Sequence, residues 1–162
     1  MTRIAVIADT HLRGGRPLRA SCAEVAQGCD LILHAGDIAD EEALELFGAL
    51  GPPLLAVHGN VDTPGVRASL PEECSWEGDG ARIAMVHDAG AAKGRLARMR
   101  RRFPDADAVV FGHSHIPLHE TDGGFQIFNP GSAMQRRRAP RHTMGIAQAR
   151  DGAVGFELIA LD

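Results

Sequence analysis

The chain has no tyrosine, one tryptophan and only 4% aromatic residues. It therefore has little with which to build the stacked aromatic platform that holds single-stranded nucleic acid. Its three cysteines, Cys22, Cys29 and Cys74, show no CxxC spacing and leave one unpaired, so neither a zinc knuckle nor a disulfide frame is expected. They read as thiols of a reducing compartment. No apolar run approaches the roughly 20 residues that cross a bilayer. The N-terminal apolar run stops at Asp9, too early for a secretory leader, so the expectation is a cytoplasmic protein with no membrane partner. An excess of one charge is missing too. Seventeen basic against 21 acidic residues leave a net charge of −4, which argues against a dedicated nucleic-acid binder but allows local basic patches.

What is present fits one domain spanning residues 1–162, with 44% hydrophobic and 23% charged residues. Short apolar runs predict strands over 4–8, 30–33, 54–57, 82–86 and 108–111. Between them, Ser21 and Glu24 make a capping-box pattern for a helix that is apolar at Leu18, Cys22 and Val25 and stops at Gly28. Asp40 caps a second helix, with Ala43, Phe47 and Leu50 on its inner face. A third carries the stripe Ala92, Leu96, Met99 and Phe103. The stretch 63–80 reads as irregular apart from the hairpin signal Gly78-Asp79-Gly80. The last third, with turns at Gly123-Gly124 and Asp151-Gly152, reads as a β-meander. The class is α/β with two sheets.

Each predicted strand runs into residues that bind metals. The first stops at Asp9-Thr10-His11, the second leads into His34-Ala35-Gly36-Asp37, and the third into His58-Gly59-Asn60-Val61-Asp62. The fourth stops at His87-Asp88 and the fifth at Gly112-His113-Ser114-His115. Open α/β sheets build their sites at such strand ends. Asp9 and His11 are two residues apart, as are His113 and His115, so in extended backbone each pair leaves one face. Asp37 can bridge two ions, one oxygen to each, while Asn60 adds a neutral oxygen and His87 a nitrogen. Taken singly these are ordinary features: a strand-end Asp caps a turn, Gly59-Asn60 is a turn, and a lone His is most often a hydrogen-bonded core residue. In this order they point to a polynuclear centre, because seven mixed ligands exceed one tetrahedral zinc and suit two ions sharing a bridge. Two ions about 3.5–4 Å apart suit in-line displacement at phosphorus.

The ordered set Asp9-x-His11, Gly36-Asp37, Gly59-Asn60-x-Asp62, His87 and Gly112-His113-x-His115 resembles the calcineurin-like metallophosphoesterase superfamily. The Asn129-Pro130-Gly131-Ser132 turn and the short length make the chain similar to its compact YfcE-like phosphodiesterase subgroup. The resemblance implies a single-domain, four-layer αββα sandwich. One metal would take Asp9, His11, Asp37 and His115; the other would take Asp37, Asn60, His87 and His113. It also implies catalytic roles for Asp37, Asn60 and His87, with a hydroxide between two divalent ions as nucleophile. The ligand chemistry puts Mn²⁺ first, with Fe, Ni or Zn as alternatives. Many larger members carry a proton-donating His where Val61 stands, so either leaving groups of low pKa are expected here or a solvent molecule supplies the proton. Asp88 replaces a usual glycine and Leu12 another. His34, His58, Asp62 and Asp88 lie beside ligands and can orient them, or serve as plain structural residues.

Arg100-Arg101-Arg102 reads as the solvated face of a helix. In Arg136-Arg137-Arg138 with Arg141, Arg136 and Arg137 are candidates to hold a substrate phosphate through a planar fork, against an equal surface reading. The expected activity is a phosphodiesterase on a small or activated phosphodiester. The alternatives are a Vps29-like protein-binding scaffold and a nuclease. A homo-oligomer is left open.

Overall fold

A computed structural model describes residues 1–162. In chain order the elements are β1 (Thr2–Ile7), α1 (Ala20–Gln27), β2 (Leu31–His34), α2 (Glu41–Gly48), β3 (Leu54–Ala56), α3 (Pro64–Ser69) and β4 (Glu73–Gly78). They continue with β5 (Ala81–Val86), α4 (Arg95–Arg102), β6 (Ala108–Val110), β7 (Leu118–Asp122), β8 (Phe125–Asn129), β9 (Thr143–Arg150) and β10 (Ala153–Ala160). The strands form two five-stranded sheets, ordered β10-β9-β1-β2-β3 and β4-β5-β6-β8-β7. Within each sheet the central run is parallel: β1, β2 and β3 in the first, β5, β6 and β8 in the second.

Alternation along β1 shows why four layers form. Ile4 and Val6 point between the sheets, where they meet Leu33, Met85, Val110 and Phe128. Ala5 and Ile7 point outward onto Cys22 of α1 and Phe47 of α2. On the far side, Met99 of α4 packs on Val109 and Ile127. Strands buried on both faces read as continuous apolar runs, as these do.

Several expectations need correction. Ser21 lies inside α1 and does not cap it; its hydroxyl donates to the Leu161 carbonyl, while Arg19 holds the cap position without a side-chain bond. A distant carbonyl outcompeted the local motif. The stretch 63–80 is ordered: the Thr63 hydroxyl caps α3, with Pro64 opening it, and β4 pairs antiparallel with β5. The alternation Cys74, Trp76, Gly78 was the missed strand signal, diluted by Glu73 and Glu77 on the open face. Ala92 is exposed ahead of α4, outside the apolar stripe. The last third is not one meander, because β7 and β8 join the second sheet while β9 and β10 pair onto β1 in the first. The Asp40 cap, which accepts the Ala43 N–H at 3.0 Å, and the Gly78–Gly80 hairpin are as expected.

Candidate metal centre

The C-terminal ends of the parallel strands from both sheets meet at one seam. From the first sheet come Asp9 and His11 after β1, Asp37 after β2 and Asn60 after β3. From the second come His87 after β5, and His113 and His115 after β6. All seven candidate ligands are brought together there, but not by the pleat. Asp9 (φ 54°), His11 (48°), His113 (72°) and His115 (62°) are left-handed rather than extended, and so is Asp37 (57°). The residue pairs converge because the chain coils back on itself. Such conformations cost of order 1–3 kcal/mol each in non-glycine residues and gather at functional sites.

The buried side of the seam holds Asp9, His11 and His115, whose ligand atoms lie within 4.8 Å of one another. His115 Nδ1 donates to the Gln135 carbonyl at 2.5 Å, which turns a bare Nε2 toward Asp9 Oδ1, 3.8 Å away. Asp9 Oδ1 accepts the His113 backbone N–H at 3.0 Å. Three buried atoms here find no hydrogen-bond partner: Asp9 Oδ2, His11 Nε2 and His115 Nε2. Orphaned polar atoms cost about 1–3 kcal/mol each, a cost that a cation bound beside them would relieve. Burial pushes the Asp9 carboxyl up to about 6, against the pull of His87. Burial also takes His115 down to about 4, with the Arg137 charge adding to the fall. This imidazole is therefore neutral and ready to ligate at pH 7.

The second cluster joins Asp9, Asp37 and His87. His87 Nδ1 donates to the Ala35 carbonyl at 2.7 Å, leaving Nε2 3.2 Å from Asp37 Oδ2 and 3.2 Å from Asn60 Oδ1. Asn60 Oδ1 also lies 3.1 Å from His113 Nδ1. Burial opposes charge on His87, but Asp37 and Asp9 beside it prevail and raise its pKa. Asp37 is likewise penalised by burial, yet His11 and His87 hold its carboxyl well below the usual range. Asp37 Oδ2 is 3.3 Å from His11 Nε2 as well, so this one oxygen faces both clusters. Oδ1 instead accepts the Val61 N–H at 3.0 Å. Oδ1 is therefore engaged with the protein and Oδ2 alone faces the two clusters, whereas one oxygen to each of two ions was expected from sequence.

Close packing leaves no room for side chains at two positions. A Cβ on Gly36 would sit 2.7 Å from His87 Nδ1, and one on Gly59 would collide with Asp37 Oδ1.

The remaining candidates divide. His34 is fully buried; Gly36 N–H donates to its Nδ1 at 3.2 Å, so its Nε2–H points to Thr10 Oγ1 at 3.0 Å. It thereby ties the ends of β1 and β2 together, and burial lowers its pKa to about 3. Asp62 accepts from Ala39 N (2.8 Å) and Gly59 N (2.6 Å), joining the loops after β2 and β3. His58 and Asp88 line a cavity of about 270 Å³ together with Asn60, His87, His113, Arg67 and Glu72. Asp88 Oδ1 caps Gly90 N, and its Oδ2 stays 4.0 Å from His113 Nε2. Arg136 donates to Ala139 O and is tied into its own loop. Arg137 (φ 49°) is exposed, with its charge felt at His115.

Sequence reasoning missed Thr10, Gln135 and Ser132, whose hydroxyl donates to the Asp9 carbonyl at 2.7 Å. Only the turn residues Asn129–Ser132 hinted at the last of these. The helix arginines do not form a free patch. Arg100 binds Asp122, Arg102 reaches Glu73 at 2.8 Å, and Arg98 donates to the carbonyls of Ala89, Ala91 and Lys93.

Fold and site together define a two-sheet α/β protein organised around a His/Asp/Asn cluster fitted to metal ions. The calcineurin-like phosphoesterase superfamily domain matches residues 2–152, and the chain belongs to that family. A probable metallophosphoesterase of Methanocaldococcus jannaschii is 30% identical over 133 residues, covering 80% of this chain and 67% of the relative. One from Mycoplasma pneumoniae is 28% identical over 148 residues, 87% and 84% of the two chains. Among solved structures, Vps29 of Entamoeba histolytica complexed with zinc has a TM-score of 0.75 at 20% identity, covering 99% of both chains. A novel archaeal phosphodiesterase has 0.76 at 19%, covering 97% and 99%. At these identities the two structures speak for the fold alone. No helix is long and apolar enough to cross a membrane.

Proposed function

We propose that this metallophosphoesterase is a phosphodiesterase acting on a small or activated phosphodiester, with two divalent ions, Mn²⁺ first among them, sharing Asp37. The observation that carries the reading is the placement of Asp37 Oδ2 between two clusters, 3.3 Å from His11 Nε2 and 3.2 Å from His87 Nε2. Asp9, His11 and His115 would complete one site, and Asn60, His87 and His113 the other. When bound, the ions would supply Lewis acidity and a water nucleophile active at neutral pH. The protein supplies the rest. The Ala35 and Gln135 carbonyls fix the His87 and His115 tautomers, so each offers a lone pair inward. Exposed Asn60 and His113 border the open side, where a phosphate can approach. Arg137 stands at the edge as a cation for a phosphate oxygen, whereas Arg136 is occupied within its loop.

A small polar substrate fits better than a nucleic acid, because Arg100 and Arg102 are spent on Asp122 and Glu73. The full ligand set favours an enzyme over a scaffold.

The metal-free protein should be inert on bis-p-nitrophenyl phosphate, Mn²⁺ should restore turnover, and Asp37→Asn should abolish it. A metal-loaded wild type with no turnover on any phosphoester would end the proposal.

A further inference from the structure

The wall formed by Asp9 and His115 is fully buried, whereas Asn60 and His113 are exposed, so a substrate enters on their side. An in-line attack from the Asp37 floor drives the leaving oxygen outward, toward that rim. Val61 follows Asn60 in the chain and is half-buried, with a hydrocarbon side chain that has no proton to give. Its peptide, however, is used at both ends. The N–H holds Asp37 Oδ1 at 3.0 Å, and the carbonyl accepts from Arg13 Nη2 at 2.9 Å. A guanidinium therefore stands one residue from Asp37, the carboxylate that two ions would share in the proposed reading.

Arg13 is also held from behind. Leu12 N–H donates to the Ile38 carbonyl at 2.9 Å and Leu12 bridges to Ala39. On the other side, Gly14 N–H donates to Asp40 Oδ2 at 2.9 Å. The backbone on both sides of Arg13 is pinned and its side chain is tethered. An arginine carries five donors. One goes to Val61; the others make no hydrogen bond, although the exposed guanidinium's charge is also felt at the Asp40 carboxylate. A cation fixed before the reaction stabilises developing charge without reorganising.

We propose that Arg13 stabilises the charge on the departing oxygen, replacing an acid that this site lacks. The proposal rests on the phosphodiesterase reading above. The nucleophile's oxygen bonds to phosphorus, the ester P–O bond breaks, and its electron pair stays on the leaving oxygen. That anion sits against the guanidinium and takes its proton from solvent on release. Arg13 transfers no proton in this step and acts through its charge alone.

The test uses the Mn²⁺-loaded full chain on methyl aryl phosphodiesters running from dinitrophenyl through nitrophenyl and chlorophenyl to phenyl. Arg13→Gln keeps a donor for the Val61 carbonyl but removes the charge. It should lose about 10-fold in kcat/KM on the best leaving group and about 100-fold on the poorest, which steepens the dependence on leaving-group pKa. Arg13→Lys keeps the charge and should retain the wild-type slope, an independent check should the glutamine variant fold poorly. Calorimetric Mn²⁺ affinity and Tm should be unchanged in both. Equal losses across the series, or a loss explained by weaker Mn²⁺ binding, overturn the proposal and leave the phosphodiesterase reading standing. No turnover by wild type on any ester overturns both.

Discussion

Replacing Asp9 by Asn should stabilise the metal-free protein while weakening its response to metal. Asp9 is fully buried, and its pKa is raised from 3.8 to about 6, mainly by burial and despite the opposing pull of His87. A carboxyl whose folded pKa exceeds its unfolded one holds its proton more tightly when folded. The stability it lends is complete below about pH 4 and is lost as pH rises through about 6. Integrated between those values, the loss is about 3 kcal/mol at pH 7 and about 1.5 kcal/mol at pH 5. Coupling to Asp37 and the histidines reduces what one substitution recovers, so about 1–3 kcal/mol is expected at pH 7. Asn keeps an oxygen for the His113 N–H, tolerates the φ of 54°, and puts an amide where Oδ2 now has no partner. Urea unfolding in EDTA should therefore show the variant more stable than wild type at pH 7, with the gap roughly halved at pH 5. Adding Mn²⁺ should raise the wild-type Tm more than the variant's. A variant weaker than wild type in EDTA at pH 7, or a gap independent of pH, would refute the reasoning.

Two further outcomes follow from the same geometry. Gly59→Ala pushes a methyl into Asp37 Oδ1 and lies 2.6 Å from the Asp37 nitrogen. It should cost about 1–3 kcal/mol and remove most of the Mn²⁺-induced rise in Tm, measured by scanning calorimetry. Burial depresses His34 to about 3, so between pH 6.5 and 3 the unfolded chain takes up a proton that the folded one refuses. Stability present above 6.5 is lost as pH falls, and His34→Gln should flatten urea-derived stability against pH by about 1.4 kcal/mol per unit there; an unchanged slope would show that the ring is not neutral.

How much could be read in the chain depends on what each feature rests on. The five strands that lead into the seam and the seven residues that meet there were legible, since an apolar run ending in His, Asp or Asn carries both signals at once. The conformation at those endings was not. Five of the candidate ligands adopt positive φ, which nothing in Asp9-x-His11 or His113-x-His115 announces, because local preference opposes it and only the surrounding loops enforce it. Ser21 and Ser132 show the same limit from another side. Each hydroxyl serves a carbonyl more than a hundred residues away, Leu161 for one and Asp9 for the other, and no local window contains both partners. β4 was hidden because its glutamates face outward at an edge, where burial gives no uninterrupted apolar run.

The division of the candidate ligands between two sheets bears on how the site stays assembled. Asp9, His11, Asp37 and Asn60 follow strands of the first sheet, while His87, His113 and His115 follow the second. Apolar packing between the sheets is non-directional and cannot by itself set ligand distances to tenths of an ångström. Hydrogen bonds crossing the seam do so: His87 Nδ1 to Ala35 O, the His113 N–H to Asp9 Oδ1, and Ser132 Oγ to Asp9 O. Each ends on a ligand or its immediate neighbour. Ions held by both halves would add to the same bonds, so metal binding and the docking of the sheets become one equilibrium. Weakening any of the three bonds should then appear first as lost metal affinity, and only later as lost fold.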